Sequence, residues 1–509
     1  MEYVIGVDLG TSGTKTVLFD REGRSVAAST VEYPLYQPYN GWAEQEPEDW
    51  VNAAFTTIRD VLEQSKVDPA DIAGLSLSGQ MHGLVLTDEF GKALGRSIIW
   101  CDNRTIESCD EFTRLVGGRE ELIRISANPA LTGFTAGKVL WTREHLPEVW
   151  AKAYRIQLPK DYLRLRLTGE YYMEMSDASG TNLLDVPNRC WSKEIAERTG
   201  IPMSLLPPLL ESCDVAGHIT EEAARITGLR AGMPVVAGAG DNMAAAIGTG
   251  VVERGKAFTT IGTSGVVFAH SDTVQIDPQG RVHTFCAAVP GCYTVMSASL
   301  AAGLSLKWCR DRFFQAEVQA AEDMGTDSYV LMNQEAARSP IGANRLIFLP
   351  YLMGERSPLL DPEARGAFIG LSAMHTRRDI VRSVMEGVMY SQWQNLNVLR
   401  GMHVAPDAML ACGGGAKSPF WRQMMADMFD MPVATLQNTE GPALGAAILA
   451  GVGAKLYPDI PTACRQLLSQ SAPVKPDAGR HAQYEKYFDL YLKLYPALKD
   501  AYHELANIE

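Results

Sequence analysis

Several features that mark other protein classes are missing from this 509-residue chain. No uncharged apolar run reaches the ~20 residues that a bilayer-spanning helix needs, so the sequence predicts no membrane partner. The N-terminus leads directly into an apolar strand pattern and leaves no room for a signal peptide. The composition, 46% hydrophobic and 21% charged, is typical of a globular protein. We expect a cytoplasmic protein of roughly two to four domains.

The sequence also lacks closely spaced cysteine pairs and a net positive charge. The nine cysteines form no C-x-x-C pair and their number is odd, which favours reduced thiols over a disulfide framework or a zinc site. The net charge is -14, so nucleic acid is not expected as a main partner. An anionic nucleotide would have to be bound locally, by backbone dipoles, a few cations and Mg²⁺.

Common catalytic motifs are absent as well. The chain contains neither a G-x-S-x-G nucleophile elbow nor an H-E-x-x-H zinc helix. Residues 250–257 have the spacing of a phosphate-binding P-loop, but Ala257 replaces the hydroxyl residue that binds Mg²⁺ and Glu253 would repel phosphate. The sequence therefore excludes these three kinds of site.

The first strong feature is a glycine hairpin at residues 4–19. Two apolar, β-branched runs flank Gly10-Thr11-Ser12-Gly13, and Asp8 stands at the end of the first run. Glycine permits turns whose backbone N–H groups point into one concavity, and Thr11 and Ser12 add hydroxyl donors. Such a turn suits phosphate oxygens, with Asp8 placed to hold hydrated Mg²⁺. The alternative is an ordinary hairpin with a surface Asp.

A second copy of this hairpin occupies residues 258–268. Its turn, Gly262-Thr263-Ser264-Gly265, has the same four residues as the first. Two such hairpins, one at the start and one near the middle, predict two related halves that face each other. A nucleotide bound between them would meet one glycine turn from each side.

Polar residues follow two short predicted strands in the first half. Gln80 and His82 stand between Gly79 and Gly83, after a strand at 72–78, and Asp102 comes two residues after Trp100. Loops at the carboxyl ends of strands often bind ligands, and a Trp beside polar groups suits a sugar. The alternatives are a turn with a surface His, and a buried Trp beside a surface ion pair.

Two glycine-rich turns later in the chain carry further candidates. Asp241 follows the strand and turn at 234–240 and precedes an Ala-rich helix, so it either takes a proton from a substrate hydroxyl or caps the helix. Gly413-Gly414-Gly415 lies between a strand and a helix that Ser418 and Pro419 are expected to open. Three glycines would let an adenine-ribose approach the backbone.

Two other segments are predicted to be structural. Residues 158–169 form a short helix that Gly169 ends, and residues 176–181 form a polar loop. Thr376 and Asp379 are predicted to cap a long helix that Gly401 ends, and residues 481–509 a terminal helix.

Taken in order, these motifs resemble the FGGY family of carbohydrate kinases. The resemblance is carried by residues 79–83, 158–164, 176–181, 240–242 and 349–356, and it extends from the first strand to about residue 450. It implies an α/β protein of two actin-like (ribonuclease H-like ATPase) domains, on the fold shared with hexokinase, actin and the Hsp70 ATPase. The expected domains are a sugar-binding unit at 1–248, an ATP-binding unit at 249–480 and the terminal helix.

The same resemblance implies an ATP-dependent kinase of the terminal hydroxyl of a ketopentose such as D-xylulose. It assigns the catalytic base to Asp241, the metal-side carboxylate to Asp8, and the sugar and ATP contacts to two sets of residues. The sugar set is Gln80, Met81, His82, Trp100, Asp102 and Asn242. The ATP set is Gly10, Thr11, Ser12, Gly262, Thr263, Ser264, Gly413, Gly414 and Lys417. Small-molecule sugar and ATP are the expected partners, and a homodimer is plausible for the family.

Three alternatives stay open. One is another sugar kinase of the same family, such as a gluconokinase. The second is a non-catalytic ATP-driven clamp, which would lack a sugar pocket with a placed base. The third is a sugar sensor, which would bind a pentulose without consuming ATP.

Overall fold

The computed structural model describes residues 2–437 and 440–508. Met1, where the expected first domain begins, and Glu509, where the expected terminal helix ends, lie outside the described residues.

The first half is built around a six-stranded mixed sheet. Its strands are β1 (Tyr3–Leu9), β2 (Gly13–Asp20), β3 (Ser25–Glu32), β4 (Ile72–Gly79), β5 (Val215–His218) and β6 (Pro234–Gly240), in the spatial order β5-β6-β4-β1-β2-β3. Strands β1 to β3 form an antiparallel meander, while β4 and β6 run parallel to β1. The carboxyl ends of β1, β4 and β6 therefore share one edge of the sheet.

The second half repeats this arrangement. Its strands are β7 (Lys256–Ile261), β8 (Gly265–Ser271), β9 (His283–Cys286), β10 (Tyr293–Ser299), β11 (Ala408–Cys412) and β12 (Val433–Ala434), in the order β9-β10-β8-β7-β11-β12. Strands β10-β8-β7-β11-β12 correspond one by one to β3-β2-β1-β4-β6 in order and direction. The extra strands β5 and β9 lie at opposite edges. The predicted pair of related halves is thus present.

Eighteen α-helices surround the sheets. In chain order they are α1 (Pro47–Ser65), α2 (Ile106–Val116), α3 (Arg119–Ser126), α4 (Thr135–His145), α5 (Pro147–Trp150), α6 (Pro159–Thr168), α7 (Met175–Ala178), α8 (Lys193–Thr199), α9 (Glu221–Thr227), α10 (Asp241–Thr249), α11 (Gly303–Phe313), α12 (Gln315–Met324), α13 (Ser328–Ala337), α14 (Arg377–Gly401), α15 (Pro419–Phe429), α16 (Gly441–Gly453), α17 (Ile460–Leu467) and α18 (Ala478–Ala506). This count covers the described ranges only. Five two-stranded ladders complete the fold.

The short ladders pair Glu44–Gln45 with Ser97–Ile98, Val85–Thr87 with Arg155–Gln157, Met173–Glu174 with Leu209–Leu210, Leu184–Asp185 with Cys190–Trp191, and Ile347–Leu349 with Ala367–Ile369.

Local sequence signals account for many helix ends. The Ser418 hydroxyl accepts a hydrogen bond from Trp421 N, and Pro419 occupies the first helical position of α15. Thr376 and Asp379 form the expected capping box of α14, and Gly169 ends α6 with a φ of 74°. One expectation is wrong: residues 176–181 are not a loop. They form the end of α7 and a 3₁₀ turn, and every one of them is buried.

Helix α16 joins the two halves. It follows β12 in sequence but packs on β1, β4 and β6 of the first sheet and beside α10. Small residues make this possible, because a Cβ on Gly6 would lie 2.0 Å from Ala443 O and a Cβ on Gly445 would lie 1.9 Å from Ala244 O. The apolar core around α10 and α16 also includes Phe258 and Phe268 of the second sheet.

Two findings bear on the protein's class. None of the helices in the described part of the chain combines the length and the apolar character that crossing a membrane requires. All nine cysteines are free thiols, as the sequence indicates.

We expect Gly445→Ala to lower the free energy of unfolding by about 1–3 kcal/mol, because the added methyl must displace backbone of α10. Gly401→Ala is the matched control, since a Cβ there meets no atom within 4 Å. Urea denaturation of both variants measures the difference. Equal stability of the two variants would contradict the close packing of α16.

Candidate active site

The sheet register brings two carboxylates to one edge. Asp8 is paired with Ser78 across β1 and β4, and Ala239 is paired with Ser78 across β4 and β6. Asp241 follows two residues later, at the start of α10. Asp8 and Asp241, far apart in sequence, are therefore neighbours at the carboxyl ends of parallel strands.

Asp8 is partly buried beside the first glycine turn. Ser78 Oγ donates to Asp8 Oδ1 at 2.8 Å. Burial raises the pKa of Asp8, while the Ser78 hydrogen bond and the positive charge of Lys15 act in the opposite direction.

The pKa of Asp241 is raised as well. Burial, followed by the negative charge of Asp8, raises the pKa of Asp241 to about 7, although hydrogen bonds from Asn242 oppose the rise. The backbone N and the Nδ2 of Asn242 donate to Asp241 Oδ1 at 2.7 and 3.0 Å. A carboxylate with a pKa near neutrality is a stronger proton acceptor than an ordinary Asp.

Two glutamine side chains support the first glycine turn on its buried side. Gln45 Nε2 donates to Thr11 O at 2.7 Å, and Gln80 Nε2 donates to Gln45 Oε1 at 2.7 Å. The Gln80 side chain is buried, so it faces the turn rather than open space. Ser12 at the tip is exposed and Gly10 partly buried, which leaves the outer side of this turn accessible.

His82 lies two residues after Gln80. Its backbone has a left-handed conformation, with a φ of 71°. Its Nδ1 lies 2.9 Å from Gly180 O, and because a carbonyl only accepts, Nδ1 must carry the proton. Burial, aided by the charge of Lys138, lowers the pKa of His82 to about 3. His82 is thus a neutral imidazole whose Nε2 is a hydrogen-bond acceptor.

The other residues predicted to bind sugar differ in exposure. Trp100 is 43% exposed, and its Nε1 donates to Thr11 Oγ1 at 2.9 Å. Met81 is buried against Gly180 and Gly240. Asp102 is fully buried, and Arg104 and the backbone N of Ala43 occupy both its oxygens. Met81 therefore lies beside Gly240, the residue before Asp241, and Trp100 lies beside the first glycine turn, whereas Asp102 fixes its own loop.

The predicted ATP residues of the second half also come together. Strands β7 and β11 are parallel, with Thr260 opposite Cys412, so the turn at 262–264 and the loop at 413–417 leave the sheet at the same edge. Thr263, Ser264, Gly413, Gly414 and Lys417 are all exposed there. Gly413 has a φ of 79° and lies against Ile261 O, a place that only glycine fits.

The two halves meet beside the first turn. Lys15 of β2 forms an ion pair with Glu440, which directly precedes α16. The halves also meet at His82, one of the residues predicted to bind sugar. Its ring lies 4.5 Å from Phe134 and 6.2 Å from Phe285 of the second half, measured between ring centroids.

Sequence reasoning missed the residues that fix His82. Lys138 Nζ and Thr135 Oγ1 donate to the His82 carbonyl oxygen at 3.0 and 3.1 Å. Lys138 is fully buried, and burial lowers its pKa to about 7. Both residues lie in an ordinary helix, α4, and nothing in their spacing points to this contact.

Comparison with known proteins decides the family. The model of the N-terminal domain of the FGGY family of carbohydrate kinases matches residues 3–248, and the model of its C-terminal domain matches residues 257–454. The chain belongs to the FGGY family of carbohydrate kinases. It is a sugar phosphotransferase, and kinases of this family use ATP.

Individual relatives match over nearly the whole chain. A xylulose kinase of Bacillus subtilis (strain 168) is 39% identical, covering 98% of this chain and 98% of its own length. A gluconokinase of the same strain is 31% identical over 100% and 98%. The structure of a ligand-bound xylulose kinase from Lactobacillus acidophilus is 29% identical, with a TM-score of 0.91 over 99% of this chain and 100% of that one. The expected two-domain actin-like fold is confirmed.

We expect the raised pKa of Asp241 to make the stability of the protein depend on pH. Its folded-state pKa is about 7, whereas an unfolded Asp titrates near ~3.9. Between these values the folded state binds more protons, so the ionisation of Asp241 lowers stability as pH rises from about 4 to about 7 and adds nothing above that.

Asp241→Asn lacks this titration. In metal-free buffer we expect the Tm of the variant minus that of the unmodified protein to increase with pH through this range and then level off. Calorimetry at closely spaced pH values measures it. A difference that does not change with pH would contradict the raised pKa.

Proposed function

We propose that this protein transfers the γ-phosphoryl group of ATP to the terminal hydroxyl of D-xylulose, with Asp241 as general base. The observation that carries the choice of sugar is the 39% identity to a xylulose kinase along 98% of the chain. The position of Asp241 near Asp8, at the sheet edge where the first glycine turn begins, supports the chemistry.

Asp241 is suited to accept a proton. Its pKa of about 7 lets it be ionised near neutral pH and still be basic enough to take the hydroxyl proton as the oxygen attacks. The O–P bond to the sugar forms, the bond from the γ-phosphorus to the ADP oxygen breaks, and the proton stays on Asp241. The Asn242 donors to Oδ1 orient the carboxylate so that its other oxygen faces the substrate.

The phosphate side is divided between the halves. Gly10, Thr11 and Ser12 on one turn and Gly262, Thr263 and Ser264 on the other offer backbone and hydroxyl donors to phosphate oxygens. Gly413, Gly414 and Lys417 border the nucleotide's adenine-ribose. In this scheme residues 1–248 form the sugar-binding domain and residues 249–480 the ATP-binding domain.

Mg²⁺ fits the donors near Asp8. Carboxylate and hydroxyl oxygens of Asp8, Ser78 and Thr11 are the hard ligands that Mg²⁺ prefers, and Asp8 would hold the hydrated ion. The ion would supply charge neutralisation of the phosphates.

The sugar contacts follow from exposure and hydrogen-bonding capacity. His82 Nε2 accepts from a sugar hydroxyl, Asn242 adds amide groups, and Trp100 and Met81 give the apolar wall. Gln80 and Asp102 act through their neighbours. Gln80 donates to Gln45, which in turn bonds to the first turn, and the oxygens of Asp102 are bound to Arg104.

Asp241→Asn should reduce kcat by roughly 10²- to 10⁴-fold, because the proton acceptor is lost while the size and shape of the side chain stay. D-xylulose binding, measured by calorimetry, should persist. Asp327→Asn is the matched control, since Asp327 likewise stands at a helix start, capping Tyr329 N of α13. Undiminished turnover in the Asp241 variant would refute the proposed base.

The sugar is tested with a panel in an assay coupled to ADP release. We expect kcat/KM for D-xylulose to exceed that for gluconate by roughly tenfold or more, since a site built for a ketose leaves polar groups unpaired with the acid. Faster turnover of gluconate would favour the gluconokinase alternative. ADP release that is independent of any sugar would favour the clamp, and binding of D-xylulose without ADP release would favour the sensor.

A further inference from the structure

A buried ionic cluster lies beside β6, the strand that ends one residue before Asp241. It contains Lys160, Asp161 and Arg164 of α6, and Glu174 and Asp177 at the start of α7, and all five side chains are fully buried. The Lys160 Nζ lies 3.1 Å from Asp161 Oδ1, 3.3 Å from Asp177 Oδ2 and 3.6 Å from Glu174 Oε1. Arg164 Nη2 lies 3.0 Å from Asp161 Oδ1. None of these residues has a part in the chemistry described above.

Charges of both signs face each other in the cluster. Burial raises the pKa of Asp177 well above its usual value, while the charge of Lys160 acts in the opposite direction. Two cations, Lys160 and Arg164, lie against the acidic side chains of Asp161, Glu174 and Asp177. Ionic groups buried so completely add little net stability, because desolvation offsets their attraction. Their value lies in the geometry that they impose on their neighbours.

The neighbour that needs such support is the end of β6. Strand β6 pairs regularly with β4 up to Val236 and again from Ala239, but the register shifts between them. Two residues, Ala237 and Gly238, bulge out opposite one residue of β4. Gly238 has a φ of 87°, and a Cβ there would lie 2.2 Å from Leu77 O. Bulges of this kind redirect the residues that follow them, which here include Asp241.

The cluster and its partners bind the backbone groups that the bulge takes out of the ladder. Arg164 Nη1 donates to Ala237 O at 2.9 Å. Gly238 N donates to Ser212 O at 3.0 Å, and Ser212 Oγ donates to Glu174 Oε2 at 2.9 Å.

The last of these contacts is nearest to Asp241. Gly240 N donates to Ser176 Oγ at 3.2 Å, and Ser176 Oγ donates to Glu174 Oε1 at 2.7 Å. Ser176 N and Asp177 N also donate to Glu174. Glu174 thus connects the cation Lys160, through Ser176, to the backbone N–H of Gly240, the residue before Asp241.

We propose that this buried cluster positions Asp241, with Glu174 and Ser176 holding the bulged end of β6 so that the carboxylate points at the substrate hydroxyl. The inference rests on the proposed role of Asp241. It makes Ser176 and Glu174 positioning residues of the kinase reaction.

Ser176→Ala tests the link most directly, since it removes the partner of Gly240 N and leaves the charges in place. We expect kcat to fall by roughly tenfold, because a small displacement of a base slows proton transfer, while KM for D-xylulose and for ATP stays unchanged. Amide hydrogen exchange of residues 237–242, followed by mass spectrometry, should become faster. Ser212→Ala, which cuts the other link to Glu174, should change kcat and exchange in the same direction.

Ser179→Ala is a closely matched control. Ser179 is equally buried, its Oγ donates to Ser176 O at 2.6 Å, and it accepts from Cys286 N at 3.2 Å. This variant loses one hydroxyl with the same bonding pattern but no contact with β6. We expect a comparable loss of Tm, with kcat and the exchange of residues 237–242 unchanged.

The outcomes separate the two proposals. If Ser176→Ala and Ser212→Ala match Ser179→Ala in kcat and exchange while Asp241→Asn is inactive, the positioning role is wrong and the base assignment stands. If Asp241→Asn retains full turnover, the base assignment is wrong, and the exchange rates alone then show whether the cluster holds the bulge. A rise in KM without a fall in kcat would also overturn the positioning role.

Discussion

Two like charges in a poorly hydrated place are the constraint on which this molecule depends. Asp8 and Asp241 both lie at the carboxyl edge of the first sheet, where the negative charge of Asp8 makes ionisation of Asp241 less favourable. A chain free to relax would let the two carboxylates separate. Here β1 fixes Asp8, and in the proposed arrangement the bulged end of β6 fixes Asp241, so the two carboxylates stay close together.

This constraint explains why so many polar groups are buried around the site. Several buried side chains bond to backbone carbonyl groups that regular secondary structure leaves without partners. Gln45 donates to Thr11 O, Lys138 donates to His82 O, and Arg164 of the ionic cluster donates to Ala237 O. Buried polar groups are costly unless satisfied. Satisfied in this way, they fix loop conformations that glycine alone would leave flexible, including those beside the proposed catalytic residues.

The sequence predicted the parts of this design that depend on local patterns. The repeated Gly-Thr-Ser-Gly turn indicated two related halves, Ser418 and Pro419 indicated the start of α15, and the match at residues 79–83 and 240–242 led to the family. It did not predict that the polar run at 176–181 is buried, because its ionic partners in α6 become neighbours only through tertiary packing. Lys138 was missed for the same reason, as was the burial of Gln80. Hydrophobic periodicity describes how a segment meets a core, but not which polar groups meet inside it.

Helix α16 has a consequence for how the protein can be divided. Although it comes after the second sheet in the chain, it covers the apolar faces of β1, β4 and β6, and Gly6 and Gly445 let the backbones almost touch. A fragment that stops at residue 248 would expose that apolar surface to water. A fragment that begins there would contain α16, a hydrophobic helix, without the sheet on which it packs. The two halves are therefore not separable modules. Expressed apart, each fragment would tend to aggregate. Expressed together, the two fragments would be expected to reassociate through α16.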